Sequence, residues 1–498
     1  MGAMRWAVLA FLTVLAASGS ETSAADRDYL VVARPSDIKT LDPTVETSDI
    51  ASSLYKSLYD QLTQTGTDGS IAPKLATSFS ASEDAKTWTF KIRGDAKLPD
   101  GSALTADDVV WTYRTILGDA TSPMKAFVAQ VDTVEKTAPD TVVFHLNTAF
   151  GAFDRQVSLI SVVQQKSFET MGRAAFAQKG VGSGPYQVVN WVRDSQIELA
   201  ANPHYWGKAP SIKKIIIRPV ESESARLNGL RSGELDLAQT LPPAGVAAAE
   251  AEGVIKVAKV PSNRVIYLGF NYDDAMVGNV KFRQAVDASI DRNALTARLL
   301  RGLGKPEGEM LAPVTFGYDP SIKPTPLDAA KAKKLLQEAG YAGQKVPFHY
   351  ATNRWPFAAE VAQAIGNYLK AVGIEVELVG VDYTTLFTLW QTNKLPGIYM
   401  FGYGPTNLDA SLPLNSLYVL RAAKADPAYL PWVETQRSTA DPAKRKAAIS
   451  LILKRSQEMA AYAPLYNEFE TYGYGKNVSF TARPDGVIPL AEVSFVGK

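Results

Sequence analysis

The sequence predicts an α/β protein of more than one domain, and three observations carry that prediction. Residues 346–402 alternate strand and helix patterns in the order β-α-β-α-β, which implies parallel strands joined by right-handed crossovers. About 470 residues remain once an N-terminal leader is set aside, too many for a single core. The chain has no cysteine, so neither disulfides nor thiolate metal sites can substitute for packing.

The leader comes first. Arg5 precedes a mostly apolar run from Trp6 to Ala17, and small residues follow at Thr22-Ser23-Ala24-Ala25. This is the pattern of a signal peptide over residues 1–25, cleaved after Ala24 or Ala25, and its apolar run is too short to span a bilayer. No cysteine follows it, which argues against a lipid anchor, so a soluble exported protein is expected. Removing Arg5 and Glu21 leaves the formal charge at +1. A near-neutral chain without a basic run has no electrostatic attraction to nucleic acid or to an anionic membrane.

In the next stretch, Tyr29 to Ala33 reads as a strand. The loop Leu41 to Ser48 then feeds a helix capped by Ser48, with Ile50, Leu54, Leu58 and Leu62 on its buried face. Such a loop can offer backbone N–H groups to an anion, although an ordinary capped helix accounts for it as well. Thr105-Ala-Asp-Asp108 is a helix-start pattern whose acids cap. His145 lies in the alternating strand Val142 to Leu146, a structural setting for a histidine. Gly180 to Tyr186 is glycine-rich but leads into a strand, Gln187 to Trp191, so a tight turn or hinge fits better than a phosphate cradle. A helix is predicted over 281–301 with Phe282, Val286 and Ile290 on one face, and a second is capped by Asp328 and ended by Gly340.

The 346–402 unit is the clearest. A strand at 346–351 is followed by a helix whose apolar face is Val361, Ile365, Leu369 and Val372, stopped by Gly373. A strand at 374–379, a helix over roughly 382–392 and a strand at 398–402 complete it. Ligands collect at the carboxyl ends of strands in open parallel sheets. Loops 352–356 and 402–409 both follow strand ends, so Arg354, Trp355, Tyr403 and Asn407 should face one crevice. Gly402-Tyr403-Gly404 is then either a tight packed corner or a platform where a ligand meets backbone and ring together. Two converging loops favour the platform. Catalytic signals are weak: His145, His204 and His349 are scattered, and no metalloprotease, phosphate-loop or nucleophile-elbow motif occurs.

A series of short strings in order resembles the extracytoplasmic solute-binding proteins of ABC importers, in the group that takes up peptides, nickel chelates, opines and oligosaccharides. They run from Leu41-Asp-Pro43 and Ala72-Pro-Lys-Leu-Ala76 through Leu98-Pro-Asp-Gly-Ser102, Gly182-Ser-Gly-Pro-Tyr186 and Asn202-Pro-His-Tyr-Trp-Gly207. Ser232-Gly-Glu-Leu-Asp236, Phe282-Arg-Gln-Ala-Val286 and Leu335-Leu-Gln-Glu-Ala-Gly340 continue the series. The resemblance implies a two-lobed periplasmic-binding-protein fold (type II-like) that closes around its ligand, with an extra subdomain in the first lobe. Mapped onto this chain, the first lobe would be 26–59, 183–271 and 477–498, the subdomain 60–182, and the second lobe 272–476. Crossings near 271 and 477 would form the hinge.

In peptide-binding members of the group a Gly-Trp ends the second-lobe strand, and an aspartate three residues after the Trp receives the peptide's ammonium group. Here Gly402-Tyr403 takes that place and Thr406 is uncharged, which disfavours ordinary linear peptides by a charge-assisted bond of roughly 1.5–3 kcal/mol. Asp409 fits the later Asp of the group's Asp-Pro pair. Glu46 stands where the leading loop of peptide binders also carries a glutamate. The candidate ligand-binding set is Glu46, Thr47, Asn271, Asn353, Arg354, Trp355, Trp390, Gly402, Tyr403, Thr406, Asn407 and Asp409. Arg354 either pairs with a ligand carboxylate or makes a surface salt bridge, and Trp390 either lines the cleft or is core. The resemblance implies a periplasmic monomeric receptor, with no cofactor and no membrane insertion, that hands a small organic solute to an inner-membrane ABC permease. An oligosaccharide receptor, a secreted hydrolase, and a chaperone or adhesin are the alternatives. Nickel and haem are disfavoured because the histidines are few and none falls in the predicted loops.

Overall fold

A computed structural model describes residues 27–497, and the predicted signal peptide lies outside the described residues. β-branched and aromatic runs assemble into one eleven-stranded mixed sheet. Its two halves share two long antiparallel strands, Ile255–Phe270 and Ala463–Gly475. On one side of them, Leu30–Arg34 pairs in parallel with Lys214–Pro219 and Leu237–Gln239. On the other, Val346–Ala351 pairs in parallel with both Val376–Val381 and Ile398–Tyr403. This is the predicted β-α-β-α-β unit, with helices Ala358–Val372 and Tyr383–Gln391 as its crossovers.

Each half has its own core, giving the two-lobed α/β arrangement expected from the sequence. One core runs from Ile266 to Tyr466, and a second unites Leu30–Tyr59, Tyr186–Leu237 and Tyr472–Val493. A third, from Leu62 to Val162, sits under a four-stranded antiparallel sheet and the helix Ala106–Gly118. One acid at that helix start caps as predicted, Asp108 accepting the Thr105 backbone N–H at 2.8 Å, while Asp107 instead pairs with Lys136 at 2.6 Å.

Two local expectations change. The helix predicted over 281–301 ends at Ala288, and Asp291 caps a new turn by accepting from the Ala294 N–H. The helix after Ser48 ends at Leu58, so Leu62 is buried in the third core and not on that helix. The glycine-rich turn before Tyr186 is a close backbone approach. A Cβ on Gly182 would stand 2.3 Å from the Leu58 carbonyl oxygen, and one on Gly184 would stand 2.5 Å from the Leu58 carbonyl carbon.

Candidate functional site

The two long strands shift register at an irregularity between Pro261 and Val265. Pro261 pairs with Phe469 and Val265 with Asn467, so Ser262, Asn263 and Arg264 bulge opposite the single residue Glu468. The Asn467 side-chain amide donates to the carbonyls of Ser262 and Arg264 at 2.8 and 2.7 Å, which fixes the bulge. Arg264 thereby projects between the lobes and meets Glu468 at 3.0 Å.

Three adjoining chambers surround Arg264 and Arg354. The largest, about 480 Å³, is walled by Glu46, Asp49 and Tyr55 of the first lobe, Ser158 of the third core region, and Gly404 and Thr406 of the second lobe. A second of about 260 Å³ is lined by Asn353, Trp355, Phe357, Glu468 and Glu470. The third, about 180 Å³, is lined by Trp355, Tyr383, Trp390, Phe401, Gly402 and Tyr403. Loops 352–356 and 402–409 therefore do converge, because the parallel pairing sets both strand ends on one edge.

The aromatic wall is largely self-packed. Trp390 stacks on Phe401 with centroids 4.9 Å apart and planes 7° apart, while the Arg421 guanidinium lies 3.9 Å over its ring. Trp355 meets Phe401 edge-on at 5.5 Å. Its indole Nε1 is buried without a hydrogen-bond partner. Gly402 makes room for it: a Cβ there would come within 2.7 Å of Trp355 Nε1 and 2.9 Å of Arg264 Cδ. That glycine thus serves packing as well as cleft shape. Tyr403 is half-buried, with its hydroxyl 3.2 Å from Ser416 Oγ.

The charges are unevenly satisfied. Burial works against the Arg264 cation, but Glu468, Glu470 and Asp49 more than offset it and push its pKa up. Burial pushes Glu470 up to about 7 against the pull of Arg264, and neighbouring Glu468 adds to the rise. Arg354 is exposed, lines all three chambers, and makes no ion pair among the described residues; its guanidinium lies 5.4 Å from the Tyr383 ring centre.

Of the predicted residues, Glu46, Asn353, Arg354, Trp355, Trp390, Gly402, Tyr403 and Thr406 line these chambers. Glu46 does so with one oxygen turned back to accept the N–H groups of Thr47 and Ser48 at 2.9 and 2.8 Å. The structure corrects four placements. Thr47 lends its N–H to Glu46 and lines none of the chambers. Asn271 sits past the opposite strand end, where its N–H donates to Gly397 and its side chain accepts from Asp273. Asn407 is fully buried and donates to Gln156 at 3.3 Å.

Asp409, 0% exposed, is clasped by Arg445 through bonds of 3.0 and 2.7 Å and approached by Arg155 at 3.4 Å. Burial would raise its pKa, yet Arg445 and Arg155 hold it below the ordinary carboxylate value. A short polar residue after a glycine turn reads as accessible, but here two arginines from distant segments cover it. Arg155 and Gln156 belong to the 60–182 segment, so this seam joins that segment to the second lobe. The sequence reading missed Arg264, Glu468 and Glu470. The available signal was Glu468 and Glu470 alternating inside the otherwise apolar and aromatic strand Ala463–Gly475.

Among the described residues no helix is long and apolar enough to cross a membrane. The chain is 30% identical over 380 residues to a probable D,D-dipeptide-binding periplasmic protein of Escherichia coli, covering 73% of this chain and 72% of that one. It is 28% identical over 392 residues to a glutathione-binding protein of Pectobacterium atrosepticum, covering 76% and 73%. The fold matches an ABC transporter substrate-binding protein, CtaP, from Listeria monocytogenes with a TM-score of 0.84 at 23% identity, over 94% of this chain and 99% of that one. The family model of bacterial extracellular solute-binding proteins, family 5, matches residues 70–424, and with a cleft of this architecture between two lobes the chain belongs to that family.

Proposed function

We propose that this protein is a periplasmic receptor that binds a small peptide-like organic solute between its lobes and delivers it to an ABC permease, without chemistry of its own. The observation that carries the reading is the interlobe cleft itself, in which, among the described residues, Arg354 makes no ion pair and the Trp355 N–H has no hydrogen-bond partner beside the hinge strands. An anionic or carbonyl group of the solute would satisfy both. The predicted signal peptide supports the periplasmic location, and the dipeptide- and glutathione-binding relatives support the solute class. We take the bulge at Ser262–Arg264 as part of the hinge, and read the receptor as a monomer that uses no metal or cofactor. An opine fits the same description. An oligosaccharide fits less well, because Trp390 is buried against Phe401 and Arg421 and offers little ring surface to a sugar.

A thermal-shift screen of dipeptides, glutathione, opines and oligosaccharides tests this. A solute at a hundred times its dissociation constant adds about 2.7 kcal/mol of stability. Hits confined to the peptide-like and opine classes are expected, and silence across all classes from folded protein overturns the reading.

A further inference from the structure

The central charge cluster leaves one partly buried carboxylate without an ion pair among the described residues, which points to a second group on the solute. Arg264 is committed to Glu468 at 3.0 Å. Glu470, two residues along the same strand and so on the same face, lines both of the larger chambers and is in no ion pair among the described residues. Asp49, exposed at the start of the helix Asp49–Leu58, faces the same space from the other lobe. Glu468 thus takes up Arg264, while Glu470 and Asp49 face the space, together with the Arg354 guanidinium, in no ion pair among the described residues. The buried, unpartnered Trp355 N–H beside Gly402 marks the same floor as a surface built to be covered by a ligand.

We propose that Glu470 is the receptor for an ammonium group of the solute, so that cation recognition sits on a hinge strand and not on the loop that follows Tyr403. The proposal rests on the receptor reading above. Thr406, on that loop, lines the large chamber without a charge, so the loop offers the cation nothing comparable. A metal ion is the poorer occupant: among the described residues no group of three or more His, Cys, Asp or Glu is placed to hold one. Burial raises the pKa of Glu470, and the cations around it offset only part of that rise. Arg264, Arg354 and Gln239 face it and favour its ionised form, while Glu468 opposes it.

Calorimetric titration of the mature protein tests this with glycylglycine, D-alanyl-D-alanine, glutathione and the N-acetyl counterpart of each. We expect at least one free-amine probe to bind, with its acetylated form weaker by about ten- to a hundredfold, the worth of one charge-assisted hydrogen bond. Glu470→Gln should lose a similar factor for the free amine and leave the acetylated affinity unchanged, so that discrimination disappears. Glu470→Asp, which keeps the charge, should retain the preference for the free amine. Full discrimination by a folded Glu470→Gln protein, or equal binding of both forms by the wild type, overturns the assignment while leaving the receptor reading intact. Binding of none of the probes overturns the assignment together with the peptide-like reading.

Discussion

Asp409 and Glu470 are both carboxylates set among arginines, and they differ in what else surrounds them. Asp409 is fully buried where the 60–182 segment meets the second lobe, with both oxygens engaged by Arg445 and a further guanidinium at 3.4 Å. Glu470 is half-buried at the edge of the cleft, and the Arg264 that faces it is already engaged by Glu468. Desolvation is large at both. At Asp409 it is overcome by two cations, and at Glu470 it is not, so one carboxylate is held low and the other near neutrality. A satisfied charge serves architecture, whereas an unsatisfied one in a chamber is available to a ligand.

The largest effect should come from breaking the dry cluster. Asp409→Asn leaves Arg445 and Arg155 buried without a counter-charge and is expected to destabilise the protein by about 3–5 kcal/mol in urea unfolding. A loss below about 1 kcal/mol would mean that water enters this seam. Trp390→Ala is next. It removes a ring stacked on Phe401 and held under Arg421, so stability should fall by roughly 3 kcal/mol. Tyr403→Ala, half-buried at the cleft, should instead cost solute affinity by about 1–3 kcal/mol with a smaller change in unfolding. If the two swap roles, the aromatic wall is divided wrongly between core and cleft.

The two carboxylates also have opposite pH windows. Folding raises Glu470 above its unfolded value, so its contribution is fully present below about pH 4.5 and is lost as pH rises through about 7. Folding lowers Asp409, so its contribution is present above the ordinary aspartate value and is lost as pH falls through its depressed one. Glu470→Gln should therefore gain about 1 kcal/mol over the wild type at pH 8, allowing for solvent screening, and show no gain at pH 4. An equal gain at both pH values would assign the effect to packing. The smallest change belongs to Glu468→Gln, which breaks a partly exposed pair with Arg264 and should cost no more than about 1 kcal/mol, shrinking further in high salt.

Local pattern carried much of this molecule into view. The repeat Val361, Ile365, Leu369, Val372 fixed a helix, Gly373 ended it, and the parallel order of three strands placed Arg354, Trp355 and Tyr403 on one edge. Two kinds of information were not local. Asp409 is covered by Arg155 and Arg445, residues 254 positions before it and 36 after it, and no short-range signal announces that closure. The bulge that projects Arg264 depends on the register between strands some 200 residues apart. The early end of the predicted 281–301 helix depended on Asp291 acting as a cap, a role that competes with its place in the helical repeat.

The aromatic wall has an optical consequence. Of eight tryptophans in the chain, Trp355 and Trp390 line the cleft, and they are electrically unlike. Both indole N–H groups are buried without an acceptor among the described residues, but Trp390 carries a guanidinium 3.9 Å over its ring and Trp355 does not. In the proposed binding mode a solute oxygen arriving at the Trp355 N–H changes the polarity felt by that chromophore and leaves Trp390 under its fixed cation. On that proposal the receptor contains both a responsive fluorophore and an internal reference, and its occupancy should be readable through its own emission with no label attached.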